Sequence, residues 1–157
     1  MQELFAYEDI TDYSHLISPY TFVGVKNVGW LNLKSDFQKG ELRSSLLRKL
    51  KDVARQDEIF QPTVEPGRGF PFCEVCGPVK ICNSGGELIR DAELWIPYED
   101  IIFASPVLIL HYMEVHHYLP PAEYIDAIIG IDISQPFDAG KAYRDRLASS
   151  GWFHRPR

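Results

Sequence analysis

The feature that most constrains how this chain folds is a Cys-x-x-Cys pair at the end of a long segment rich in proline and glycine. Residues 56–72 hold three prolines and two glycines, a composition that interrupts helices and central strands. Loops of this length in a compact domain are usually functional or are held by other contacts. Cys73 and Cys76, followed at once by Gly77 and Pro78, can hold the loop through a shared metal ion, because two intervening residues let the backbone turn around it.

A second dense patch of metal-ligand residues lies at 111–118, with the sequence HYMEVHHY. Thiolate and imidazole are ligands that zinc prefers, and structural zinc usually takes four of them in a tetrahedron. His111 and His116 are separated by four residues, which is within the range known for zinc fingers. We therefore predict a structural zinc ion with four protein ligands: Cys73, Cys76, His111 and His116.

One geometric objection concerns the two histidines. On a regular helix, residue i+5 lies about 140° around the axis from residue i, so His111 and His116 cannot both reach one ion from a straight helix. Leu119 is followed by Pro120 and Pro121, and a residue before proline avoids the α-helical region. The double proline therefore predicts that the helix unwinds near His116, which brings the two imidazoles together.

The residues leave several alternatives to this ligand set open. Cys82 is a rival third thiolate, and His117 is a rival histidine with five residues between it and His111. Without a metal, Cys73 and Cys76 would be buried thiols and His111 a core histidine bonded to a carbonyl group. A redox pair is disfavoured, because a proline-rich loop precedes the cysteines and no helix begins at them.

A catalytic zinc is the enzymatic alternative. It would keep an open coordination position for water, with Glu93 or Glu114 as the base. The segment HYMEVH matches neither His-Glu-x-x-His nor its reversed order. The chain also has no Gly-x-Ser-x-Gly, P-loop or Gly-x-Gly-x-x-Gly motif. We therefore favour a binding or interaction domain without catalytic activity, and a zinc-dependent hydrolase stays the alternative.

Composition favours a globular cytoplasmic protein whose partner is another protein. The 157 residues are 45% hydrophobic, enough for one packed domain over 1–157. The net charge of −6 argues against nucleic acid and anionic membranes as partners, and suits a basic protein. No apolar run reaches the length of a membrane-spanning helix. The N-terminal segment lacks a signal pattern, and three cysteines without a disulfide framework indicate the cytoplasm.

Periodicity and punctuation predict an α+β fold with a small antiparallel sheet. Residues 1–18 are expected to be irregular or a short helix, and the tail 150–157 is expected to fray. β-branched and aromatic residues predict strands near 20–33, and alternating apolar residues predict a hairpin near 87–104. Apolar residues at helical spacing and helix-opening prolines predict helices at four places: 41–55, 106–117, 121–130 and 138–149.

Four motifs occur in an order that resembles a known family. They are NVGWL at 27–31, RGF with CEVC at 68–76, AELWIP at 92–97, and SPVLILHYMEVHHYLPPAEYIDAI at 105–128. In these segments the chain is similar to a family of small uncharacterised bacterial proteins, a domain of unknown function. That family shares Gly-Trp-Leu, Cys-x-x-Cys and His-Tyr-x-x-x-His-x-Tyr-x-Pro-Pro. The resemblance implies no known activity.

The resemblance implies the same metal ligands and adds supporting residues. It favours His116 over His117, because the family's spacing matches His116. It implies that the double proline at 120–121 is structural and that three further residues support the ligands: Glu93, Tyr112 and Tyr118. The chain departs from the family at Pro71, where the family often carries a histidine, and this departure leaves Cys82 open as a replacement ligand.

Overall fold

The computed structural model describes residues 7–15, 20–54, 58–64 and 69–151, with only the backbone of residues 14, 15 and 20. Its strands are, in chain order, β1 Thr11–His15, β2 Tyr20–Asn27, β3 Phe60–Gln61, β4 Thr63–Val64, β5 Phe72–Cys73, β6 Gly77–Pro78, β7 Glu93–Tyr98, β8 Ile101–Pro106 and β9 Phe137–Asp138. Its helices are α1 Ser44–Ala54, α2 Ile109–Val115, α3 Ala122–Gly130 and α4 Ala139–Ser149.

The centre of the fold is a five-stranded sheet with the order β1-β2-β8-β7-β4. β7 and β8 form a hairpin in which Tyr98 pairs with Ile101. β2 and β8 are parallel, whereas the other neighbouring strands of this sheet are antiparallel. The short strands β3 and β9 pair with each other, as do β5 and β6. The predicted α+β class is confirmed, but the sheet is mixed where the sequence predicted an antiparallel one.

Helices cover both faces of the sheet, because side chains of its central strands alternate between two apolar cores. Leu94 and Ile96 of β7 pack into a core with α1, α2 and α3, whereas Trp95 packs into a second core with Tyr143 of α4. All three β7 side chains are fully buried. Cys73 belongs to the first core, so the candidate metal centre lies on that side of the sheet.

Three of the predicted helices agree closely with the observed ones. The predictions 41–55, 121–130 and 138–149 correspond to α1, α3 and α4, with ends that differ by at most three residues. Asp138 is the residue before α4, and its carboxylate accepts a hydrogen bond from the Lys141 N–H group at 3.0 Å. This is the usual role of an acidic N-cap, which satisfies a free amide in the first helical turn.

The predicted helix 106–117 begins too early. Pro106 is the last residue of β8 and pairs with Glu93, and α2 begins only at Ile109. Proline fits the end of a strand as well as the first turn of a helix, so the pattern did not separate the two. The C-terminal end agrees better with the prediction, since α2 stops at Val115, before the double proline.

The first third of the chain also differs from the prediction. Residues 11–15, predicted as irregular or helical, form β1 and pair with β2. Strands were predicted near 20–33, but β2 ends at Asn27, because Gly29 adopts a φ of +78° and the chain turns out of the sheet. The predicted loop at 56–72 includes β3 and β4 in its described part, and β4 joins the main sheet beside β7. Most of the predicted tail lies outside the described residues.

Candidate metal centre

The two cysteines lie on a tight β-turn. β5 and β6 are antiparallel and pair Cys73 with Gly77, so the chain reverses within the residues of the Cys-x-x-Cys pair. Gly77 closes the turn with a φ of +81°, a conformation that costs glycine little. Cys73 is buried and Cys76 is exposed, and both are free thiols. The turn therefore presents one sulfur from the core and one from the surface.

The two histidines lie at opposite ends of the short helix α2. His111 is buried in its first turn, and His116 is the C-cap residue, with a backbone N–H that donates to the Tyr112 carbonyl. His117 then adopts a left-handed φ of +59°, which ends the helix ahead of the double proline. This break brings the centroids of the His111 and His116 rings to 5.0 Å from each other. The double proline predicted this approach.

The four predicted ligands converge on one point. One ligand atom from each of four residues lies within 4.8 Å of all the others: Cys73, Cys76, His111 and His116. The Sγ atoms of Cys73 and Cys76 are each 3.6 Å from Nε2 of His116. A tetrahedral zinc with Zn–S about 2.3 Å and Zn–N about 2.05 Å has a sulfur–nitrogen edge of about 3.6 Å. The spacing of these atoms therefore fits a metal ion between them.

His111 supplies an independent indication of a ligand. Its side chain is buried, yet its Nε2 atom has no hydrogen-bond partner among the described residues. A buried polar atom without a partner is rare and costs free energy, and a metal ion would satisfy it. Burial, followed by the nearby His116, lowers the pKa of His111, which favours the neutral imidazole that binds metals.

The electrostatics of the thiols also favour a cation at this site. Partial desolvation raises the pKa of Cys76, and the adjacent Cys73 sulfur raises it further through a hydrogen bond and through charge. Burial raises the pKa of Tyr112, and the charges of Cys73 and Glu74 add to that effect. Two thiolates side by side repel each other, so a divalent cation is the natural counter-charge for them.

Two acidic residues that the sequence reasoning missed connect this site to the rest of the fold. Glu74, inside the Cys-x-x-Cys turn, accepts a hydrogen bond from the Leu33 N–H at 2.7 Å. Asp9 accepts from the Gly29 N–H at 2.9 Å and from the Tyr118 hydroxyl at 2.7 Å. The sequence carried no signal for Asp9, because its partners lie 20 and 109 positions away.

The reserve ligands lie outside the four-residue group. Cys82 is exposed and its backbone forms a bridge with Leu88. His117 is also exposed, with Nδ1 3.4 Å from a carboxylate oxygen of Glu41. The structure therefore brings His116, and not His117, next to His111.

The three proposed supporting residues have different surroundings. The centroid of the Tyr112 ring lies 6.3 Å from the ring centroids of both His111 and His116, so Tyr112 packs against the candidate centre. The Tyr118 hydroxyl instead donates to Asp9. Glu93 accepts hydrogen bonds from the Tyr13 hydroxyl and from the Trp95 indole, so these contacts connect it to the second core.

Replacing Tyr118 with phenylalanine is expected to lower the free energy of unfolding by about 1–2 kcal/mol, because a hydrogen bond from a buried hydroxyl to a carboxylate is lost. Urea unfolding measures the change. Tyr98→Phe is the matched control, since Tyr98 is half-buried and its hydroxyl has no hydrogen bond among the described residues. An equal loss in both variants would contradict the importance of the contact between Tyr118 and Asp9.

The fold and the converging residues define a small α+β domain with a possible Cys2His2 metal-binding group. A family model described as "Domain of unknown function (DUF7919)" matches residues 5–129, and the chain belongs to this family. The resemblance to a family of unknown function is thereby confirmed. The matched region contains all four candidate ligands and ends within α3. No curated protein and no solved structure matches the chain.

Proposed function

We propose that this DUF7919 domain is a non-catalytic binding domain held together by one structural zinc ion. The observation that carries the proposal is the convergence of two thiols and two imidazoles within 4.8 Å. The His111 imidazole among them has a buried nitrogen without a partner among the described residues. The ligands would be Cys73, Cys76, His111 and His116. When bound, the ion supplies charge neutralisation and a cross-link between the β5–β6 turn and α2.

The donor set favours zinc over other divalent ions. Two sulfur and two nitrogen ligands in a tetrahedral arrangement are typical of zinc, whereas calcium and magnesium require oxygen ligands. The free cysteines agree with a reducing compartment, where Cys-x-x-Cys pairs more often bind metals than form disulfides. We therefore place the protein in the cytoplasm as part of the same proposal.

A structural role is supported over a catalytic one by the positions of the two candidate bases. Four protein ligands fill a tetrahedron and leave no open position for water. The Glu114 carboxylate forms an ion pair with the Lys51 ammonium at 2.9 Å, and Glu93 accepts from Tyr13 and Trp95. Neither acid belongs to the four-residue group.

A cross-link that closes the 34 residues between Cys76 and His111 would stabilise the fold, because it reduces the conformational entropy of the unfolded chain.

The proposed partner is a basic protein. The net charge of −6 would steer a cationic partner toward the domain, and the sequence has no complete catalytic motif. Among the described residues, no helix is both long and apolar enough to cross a lipid bilayer. We expect residues 1–157 to act as one unit in this interaction.

Protein purified without a His-tag and without added metal is expected to contain about one zinc ion per chain. Elemental analysis measures the content, and X-ray absorption at the zinc edge gives the ligands. Two sulfur neighbours at about 2.3 Å and two nitrogen neighbours at about 2.05 Å are expected. After removal of the metal with a chelator, added zinc should bind again at about one ion per chain, whereas added magnesium should not bind.

Two results would contradict this proposal in different ways. A zinc content below about a tenth of an equivalent would show that the thiols and imidazoles form a metal-free core. An oxygen neighbour in place of one protein ligand would instead show an open coordination position, which would favour the hydrolase alternative with Glu93 or Glu114 as base.

A further inference from the structure

A cavity of about 750 Å³ opens between α1, the turn that begins at Asn83 and the segment after α3. None of the four candidate metal ligands lines it. Pockets that bind small molecules generally have volumes of about 300–1,000 Å³, with mostly apolar walls and a few fixed polar groups. The cavity has a volume in this range, and its lining combines apolar side chains with charged and amide groups.

Asn83 brings an amide group to the lining of this cavity. The residue is only 7% exposed, and its Oδ1 atom accepts hydrogen bonds from the N–H groups of Gly85 and Glu87, each at 2.9 Å. These two bonds fix the orientation of the amide, because a nitrogen in the same place could not accept them. The Nδ2 group donates to none of the described residues.

Two cations on α1 lie along the same cavity. The Arg48 guanidinium group forms no hydrogen bond or ion pair with any described residue. The Lys49 ammonium donates to the carbonyl of Ile129 at 2.8 Å, which leaves its other N–H bonds available. With Asn83, these residues give the cavity several donors that a bound anion could satisfy.

The two acids of the lining already have partners. Asp52 accepts hydrogen bonds from the N–H and the hydroxyl of Ser84, at 2.9 and 2.8 Å. Asp132 accepts from the N–H and the hydroxyl of Ser134. Local hydrogen bonds therefore occupy the carboxylates, whereas the Arg48 guanidinium and the Asn83 amide nitrogen donate to none of the described residues.

Four further residues of the lining are apolar. Val53 and Phe60 are buried side chains of the first core, and Ile131 and Ile133 follow α3 on the opposite side. Ile133 is 50% exposed, so a bound hydrocarbon would remove apolar surface from water. Burial of each CH2 group in this way favours binding.

We propose that this cavity binds a small organic acid, with its carboxylate against Arg48 and Asn83 and its apolar body against Phe60 and Ile133. A planar carboxylate accepts two parallel hydrogen bonds from a guanidinium group, and its second oxygen can accept from the Asn83 amide. The proposed ligand carries one negative charge, because Asp52 and Asp132 in the same lining offset the two cations and would repel a more highly charged anion more strongly. This site is separate from the proposed zinc function and does not depend on it.

Nuclear magnetic resonance titration of the full-length protein, as isolated, tests the proposal with octanoate as the probe. Octanoate is expected to shift the amide signals of Ser84 and Gly85 in a saturable manner. Octan-1-ol and octylamine have the same apolar body without the negative charge, and should bind about tenfold more weakly or not at all. The metal content of the same sample is measured in parallel, so that a failure of either proposal is recognised separately.

Two substitutions separate anion recognition from simple hydrophobic binding. Asn83→Asp keeps an oxygen acceptor for Gly85 and Glu87 but replaces the donor with a negative charge, and should abolish octanoate binding. Arg48→Gln should weaken it about tenfold. Arg43→Gln is the matched control, because it removes the same charge from a residue that does not line the cavity, and should leave binding unchanged.

The proposal is overturned if octanoate produces no saturable shift. It is also overturned if octan-1-ol binds as tightly as octanoate and neither Asn83→Asp nor Arg48→Gln changes the affinity. A loss of binding in Arg43→Gln equal to that in Arg48→Gln would overturn it as well, since the effect would then come from overall charge.

Discussion

Replacing Cys73 with serine is expected to abolish binding of the proposed zinc ion and to lower the free energy of unfolding by several kcal/mol. A metal present at about a thousand times its dissociation constant stabilises the folded state by about 4 kcal/mol, and this contribution disappears with the site. Cys73 is fully buried in the first core and its sulfur is 3.6 Å from Nε2 of His116. Urea unfolding combined with elemental analysis of the same samples measures both effects.

Cys82→Ser is the matched control for this substitution. Cys82 is exposed and lies outside the four-residue group, so its replacement should leave zinc content and stability unchanged. Wild-type protein freed of metal by a chelator separates the metal contribution from the packing of the Cys73 side chain, and should be nearly as unstable as Cys73→Ser. A loss of zinc in Cys82→Ser would instead identify Cys82 as a ligand.

Replacing Gly29 with alanine is expected to destabilise the protein by about 2–5 kcal/mol, from left-handed backbone strain together with overpacking. Gly29 has a φ of +78°, and an added Cβ would lie 2.6 Å from Cδ1 and 2.7 Å from Cγ1 of Ile109. Ile109 is fully buried and is the first residue of α2. Its displacement would shift the helix that carries His111, so zinc affinity should fall together with stability.

Gly86→Ala isolates the backbone strain from the steric clash. Gly86 has a nearly identical φ of +82°, but an added Cβ would meet nothing within 4 Å. Only about 1–2 kcal/mol should be lost there. The double variant Gly29→Ala/Ile109→Ala should lose less than the sum of its single variants, because the truncation removes the two atoms that clash. Equal losses in Gly29→Ala and Gly86→Ala would refute the role of the contact with Ile109.

The sequence predicted those parts of the fold that depend on residues close to one another in the chain. Apolar residues at helical spacing predicted α1, whose buried side chains Leu50, Val53 and Ala54 share one face. Alternation predicted the β7–β8 hairpin, where Trp95 and its neighbours face opposite cores. The convergence of His111 and His116 was also predictable, because the double proline limits where the helix can continue.

The parts that were missed depend on contacts between distant residues. Nothing near β2 indicates that Val25 will pair in parallel with Ile102, and the polar segment of β1 has no pattern that distinguishes a strand from a loop. Pro106 is compatible with two local structures, and only its pairing with Glu93 decides between them. The Asp9 contacts with Gly29 and Tyr118 likewise exist only in the folded chain.

The parallel pairing of β2 with β8 has a consequence for the order in which the protein folds. The hairpins β1–β2 and β7–β8 can each form early from neighbouring residues, but they join only after closure of the long segment between Val25 and Ile102. Such non-local pairing slows folding. During synthesis the edge of β2 that pairs with β8 therefore stays unpaired until residue 104 has left the ribosome. An exposed strand edge of this kind can associate with other chains. His111 and His116 follow soon after, so the proposed metal ion could join the β5–β6 turn to α2 only late in synthesis.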